Sequence, residues 1–147
     1  MSVAVEYRSN KASAAQVAAH LRRCDTDFVP PLSGRVEINT YASKLVDKSI
    51  RFEAWADDTL IGLVAVYCND REKRIAYITS VSVLKQWRGK GIATHLLHQC
   101  LAHAQGVDMR QIRLETTGNN TNANRLYERI GFIAGQENAS FLGMELS

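Results

Sequence analysis

The sequence lacks the material for a disulfide scaffold: its three cysteines, Cys24, Cys68 and Cys100, are odd in number, widely spaced and in no CxxC arrangement. That pattern argues for reduced thiols acting as small apolar fillers. No apolar run approaches the roughly twenty residues of a membrane span. The start, MSVAVEYRSN, carries charge and polarity where a signal peptide needs an apolar core. A cytoplasmic protein with no membrane partner is the expectation. The net charge of +3 is too mild to call for nucleic acid, and the basic residues are spread along the chain. No repeat, low-complexity tract or linker divides the 147 residues, so one domain over residues 1–147 is expected. A chain of that size can bury about two-thirds of its unfolded surface.

Periodicity gives the elements. Val3 to Tyr7 suits a short strand, and Ala12 to Cys24 has helical spacing with Val17, Leu21 and Cys24 on one stripe. The only two prolines, Pro30 and Pro31, stop that helix. Glu37 to Lys48 predicts a second helix. Arg51 to Ala56, Leu60 to Cys68 and Ile75 to Val83 read as three antiparallel strands joined by DDT and NDREKR turns. The period then changes: Ile92, Ala93, Leu96, Leu97, Cys100, Leu101 and Ala104 form a helical stripe that Gly106 ends. Gln111 to Thr116 predicts a strand, NANRLYERI a helix stopped by Gly131, and the remainder a hairpin of Phe132 to Ala134 with Phe141 to Leu146. The centre is a right-handed crossover unit attached to an antiparallel meander.

Between the third strand and the long helix stands QWRGKGIA. A helix start exposes unpaired N–H groups and the positive end of its dipole, and glycines let an anion approach that backbone. The spacing is neither the dinucleotide GxGxxG nor a Walker loop. Successive N–H groups of Arg88 to Ala93 suit a pyrophosphate. About thirty residues on, NTNANRLYERIGF sets Asn120 at the mouth of a helix and Tyr127 two turns along the same side. Three histidines on the long helix, His95, His98 and His103, cannot converge on one ion: the first two lie opposite the apolar stripe on a solvated face and His103 toward its edge. No metal is expected.

Together the two motifs resemble the GNAT N-acetyltransferase family, whose motif A is here YITSVSVLKQWRGKGIA and whose motif B is NNTNANRLYERIGF. The resemblance implies a mixed, mostly antiparallel α/β sheet flanked by helices and splayed at its centre to admit acetyl-coenzyme A. It assigns cofactor contacts to Val81, Val83, Gln86, Arg88, Gly89, Lys90, Gly91, Ile92, Ala93, Asn120 and Tyr127. Val83 would present its amide to the acetyl carbonyl, and Tyr127 would act as general acid toward the leaving thiolate. Many relatives carry a Glu where this chain has Thr79. Thr79 cannot act as a base, which leaves Glu115, Asp70 or Glu72, a water held by Thr79 and Ser80, or no base at all. Direct transfer to a small-molecule primary amine is implied, by a monomer or homodimer. Phe28 to Leu45, including Arg35 and Tyr41, would shape the acceptor side. That stretch is similar to bacterial relatives associated with surface-polysaccharide synthesis, which implies an amino sugar; a protein amine, a polyamine and a non-catalytic acetyl-coenzyme A sensor are the alternatives.

Overall fold

A computed structural model describes residues 4–28, 31–115, 121–134 and 141–146. Its elements are β1 (Val5–Ser9), α1 (Ala14–Cys24), α2 (Ile38–Lys48), β2 (Ile50–Ala56), β3 (Thr59–Asp70), β4 (Ile75–Val83), α3 (Ile92–Gly106), β5 (Gln111–Glu115), α4 (Thr121–Ile130), β6 (Ile133–Ala134) and β7 (Phe141–Glu145). The strands form one seven-stranded sheet in the order β1-β2-β3-β4-β5-β7-β6. Among the described strands only β4 and β5 run parallel, with α3 crossing between them. The mixed α/β sheet expected from the motifs is present.

Local chemistry sets the boundaries. Ser13 takes the Gln16 amide on its hydroxyl while the Gln16 side chain returns to the Ser13 amide, so α1 begins after Ser13 rather than at Ala12. Glu37 lies outside α2 and caps it through Thr40 N–H. The first strand lies later than expected, at Val5–Ser9, and pairs with β2, so four antiparallel strands precede the crossover instead of three. Val29, Pro30 and Thr116, all within expected elements or turns, lie outside the described residues.

Alternation along β3 sorts the two faces. Leu63 and Ala65 pack with Val17, Leu21, Ala42 and Leu45 of α1 and α2. Val64 and Val66 pack with Ile92, Leu96, Cys100 and Ala104 of α3, and Ile61 joins them because the register with β2 slips between Ala54 and Trp55 and leaves it the extra residue. Successive strand side chains point oppositely, so α1 and α2 cover one face and α3 the other. Each fully buried Leu or Ile in α3 contributes about 1.5–3 kcal/mol. No helix among the described residues is long and apolar enough to cross a membrane.

Candidate active site

The site is made by two strands parting. β4 pairs with β5 only from Ile75 to Ile78, matched to Gln111 to Leu114. β4 itself continues on β3 to Val83. The register with β3 slips between Ala65 and Val66, which face Ser80 and Ile78, so Thr79 is the extra residue of a bulge. Beyond it, Leu84 N–H donates to Ile61 O. Strand N–H groups alternate between edges, so the Val81 and Val83 amides face the side that β5 has left.

The glycine turn follows at once. Lys85–Trp87 form a 3₁₀ turn, and Gly89 and Gly91 take φ of 78° and 77°, the left-handed region that glycine enters freely. Gly91 is the residue before α3, and the first described bond of the helix is from His95 N–H to Gly91 O. A Cβ at either glycine would meet nothing within 4 Å, so the space beside the turn is open to a ligand. Gln86 and Lys90 are exposed, while Ile92 is buried. The Arg88 side chain is already engaged: it pairs with Asp27 at 2.7 Å and donates from Nε to Val83 O at 3.2 Å. The turn therefore offers its backbone and tethers itself to the chain after α1. Gly62 on β3 completes the support, because a Cβ there would lie 2.9 Å from Ile92 Cγ2. A glycine inside the strand run LIGLVAV was the available signal for that close approach.

Tyr127 lies on α4 in the same apolar cluster as Val83 and Ile92, edge-on to Phe132 at 6.0 Å between centroids. It is 7% exposed. Burial pushes its hydroxyl up to about 12, so it stays protonated at neutral pH. Asn120 lies outside the described residues. On the other face Tyr41 of α2 donates to Thr79 O at 3.0 Å and shares a 2.8 Å hydrogen bond with Thr79 Oγ1. Tyr41, expected on the acceptor side, thus reaches the bulge itself. Arg35 lies near enough for its charge to favour the ionised Tyr41, though burial outweighs it and raises the group.

Of the carboxylates considered as a base, Asp70 and Glu72 sit at the far hairpin. Asp70 pairs opposite Ile75 and caps Lys73 N–H at 2.9 Å. Four to eight residues of strand, roughly 13 to 26 Å, separate Ile75 from Thr79 and Val83. Neither can act at the splay. Glu115 ends β5 beside it and is exposed. His103, expected toward the edge of the apolar stripe, is half-buried and edge-on to Phe52 at 5.7 Å, whereas His95 is exposed and stacks on Tyr7. No group of three metal-ligating side chains gathers among the described residues.

The pattern missed a buried polar pair. His20 of α1 is 2% exposed, with Nδ1 2.9 Å from Leu60 O and Nε2 2.8 Å from Ser82 Oγ. A carbonyl can only accept, so Nδ1 carries the proton and Ser82 donates to Nε2. Burial holds the imidazole down at about 4, with the Arg23 charge adding to this and the Leu60 carbonyl opposing it.

Comparison with known proteins gives the family and the fold. Residues 15–132 match the model of the Acetyltransferase (GNAT) family, and the chain belongs to that family. It is 36% identical over 85 residues to N-alpha-acetyltransferase 30 of Schizosaccharomyces pombe, covering 55% of each chain. Over 89 residues it is 33% identical to streptothricin acetyltransferase of Escherichia coli, covering 60% of this chain and 50% of that one. The chain thus spans about half the length of these curated relatives. A PaiA N-acetyltransferase from Thermoplasma acidophilum, solved in complex with coenzyme A, superposes with a TM-score of 0.73 at 15% identity, covering 97% of this chain and 99% of that one. That likeness is one of fold.

Proposed function

We propose that the chain is an acetyl-coenzyme A-dependent N-acetyltransferase acting on a primary amine. The observation that carries the reading is the departure of β5 from β4 after Ile78, which leaves the Val81 and Val83 amides facing the gap that leads to the Gly89–Gly91 turn. The turn's N–H groups from Arg88 to Ala93 would hold the pyrophosphate, and Asn120 would contact the pantetheine arm. Bound there, acetyl-coenzyme A supplies an activated acyl group. Val83 N–H donates to the acyl oxygen as negative charge builds on it. Tyr127 donates to the departing sulfur. With its hydroxyl near 12 and an ordinary thiol near 8.5, complete proton transfer is uphill by roughly three units, so Tyr127 stabilises the thiolate through a hydrogen bond.

The acceptor would enter from the α2 side, where the bulge offers the Tyr41 and Thr79 hydroxyls. Hydroxyls orient a neutral amine without deprotonating it. That chemistry favours an amine of low basicity, as in an amino sugar, over a polyamine, which needs carboxylates. Thiol release from acetyl-coenzyme A tests the reading against nucleotide-linked amino sugars, N-terminal peptides, streptothricin and polyamines. Turnover with at least one amine is expected; cofactor binding without turnover on any would instead make the chain an acetyl-coenzyme A sensor.

A further inference from the structure

The two edges of the sheet differ. β6 ends it with two residues, whereas β1 ends it with five in unbroken register on β2, from Val5 opposite Ala56 to Ser9 opposite Phe52. Open edges are usually blunted by proline, a bulge or a very short strand, and β1 has none of these. No described strand lies on its outer side. Asn10 N–H donates to Arg51 O, so Asn10 and, by alternation, Arg8 and Glu6 turn their N–H and C=O groups toward β2. Val5, Tyr7 and Ser9 turn theirs outward.

The side chains of β1 alternate between the two faces. Tyr7 stacks on His95 of α3 at 3.8 Å between centroids, and Arg8 lies over the Trp55 ring on the α1/α2 face, 5.2 Å from its centroid. Glu6 shares that face and pairs with Arg8 at 2.5 Å. Both charges are exposed, so this ion pair holds little by itself and is open to a second partner.

We propose that β1 is a dimer edge, pairing antiparallel with β1 of a second copy of this chain about a twofold axis at Tyr7. In that register Tyr7 faces Tyr7 of the second copy and Val5 faces Ser9, so the outward N–H and C=O groups of all three residues find partners. Glu6 then stands opposite Arg8 on both sides of the axis, in the closely spaced pairs where cross-strand side chains meet. Outward groups recur every second residue, so the nearest alternative registers are slipped by two and set Glu6 against Glu6 or Arg8 against Arg8. The order Glu-Tyr-Arg in VEYRS thus selects one register, and the strand it complements is its own copy. Five residues a side make a small interface, so the dimer is reversible. It does not rest on the acetyl-transfer reading.

Sedimentation equilibrium between roughly 1 and 500 μM should show monomer and dimer exchanging with a dissociation constant of roughly 1–100 μM. Glu6→Arg gathers four like charges at the axis and should weaken the dimer roughly tenfold or more, as should Arg8→Glu, while the two changes combined should restore most of the affinity. Tyr7→Pro removes an N–H that faces away from β2, which an edge strand tolerates, and should abolish the dimer with the far-ultraviolet spectrum unchanged. Amide exchange gives the direct signature: the Tyr7 and Ser9 N–H groups should exchange fast in dilute protein and become protected in concentrated protein, with Arg8 protected in both. A monomer at every concentration, a dimer left intact by Tyr7→Pro or Glu6→Arg, no rescue in the combined variant, or Tyr7 and Ser9 exchange independent of concentration would each overturn the proposal.

Discussion

The α3 face of the sheet and the α1/α2 face are held by different forces. Against α3 the buried side chains are Ile92, Leu96, Leu97, Cys100 and Ala104, with no buried polar residue on the helix. On the opposite face α1 and α2 are stitched to the sheet by polar groups. Glu53, 0% exposed, accepts from the Lys11 and Ala12 amides ahead of α1 and from Trp55 Nε1. Arg51 pairs with Glu53 at 3.4 Å and donates to Leu45 O and Val46 O at the end of α2. His20 ties α1 to β3 and β4, and Tyr41 ties α2 to the bulge. Burial is non-directional and tolerates repacking, whereas a buried hydrogen-bonded charge fixes one arrangement and is costly to break. The face that would hold the cofactor is therefore apolar beneath an open backbone, and the face that would meet the acceptor is positioned by directional bonds.

The largest break in this contrast comes from Glu53→Ala, which strands Arg51 and the two amides in a dry interior. A loss of about 3–5 kcal/mol is expected by denaturant titration, well above that of an exposed carboxylate such as Glu6→Ala. Next is Tyr127→Phe, which keeps the ring: acetyl-coenzyme A affinity should hold while the chemical step slows roughly 10²-fold, about 3 kcal/mol in the barrier. Single-turnover rates beside binding isotherms would reveal a packing-only Tyr127 by an unchanged rate.

Acid should sharpen the contrast from the α1 side. The unfolded imidazole titrates near 6.5 and the folded His20 near 4. The unfolded chain binds the extra proton first, so His20's contribution is intact above pH 6.5 and is lost as the pH falls toward 4. The total is about 3 kcal/mol. Stability measured across that window should lose most of this slope in His20→Leu. The smallest effect is expected from Asp27→Asn, whose ion pair with Arg88 is partly exposed on both sides; less than about 1 kcal/mol should follow, fading further in added salt.

How much could be read beforehand tracks the same divide. QWRGKGIATHLLHQC displays its geometry locally, because glycines, helix period and a preceding valine strand are neighbours in the chain, and a glycine turn does stand between β4 and α3, with Gly89 and Gly91 in the left-handed region. Strand and helix order was legible for the same reason. His20–Ser82 spans 62 residues and Lys11–Glu53 spans 42, and no local period announces a partner that distant. Glu53 had no reading of its own within the strand run RFEAWA, and Tyr41, expected on the acceptor side from the resemblance, carried no sign of its bond to Thr79. The Thr79 bulge was equally hidden, since it exists only in the register against β3. Carboxylates near Thr79 in sequence, Asp70 and Glu72, are carried to the far hairpin by the strand between them.

The central claim is that backbone groups of the glycine turn hold acetyl-coenzyme A. Calorimetric titration of acetyl-coenzyme A into the parent, Lys90→Ala and Gly91→Val tests it most directly. At φ of 77° a β-branched residue is strained, and its side chain would project into the open space where the ligand approaches. Gly91→Val, checked to be folded by its far-ultraviolet spectrum, should bind roughly a hundredfold more weakly or not at all, while Lys90→Ala should lose roughly tenfold or less. Parent-like affinity in folded Gly91→Val would contradict the account.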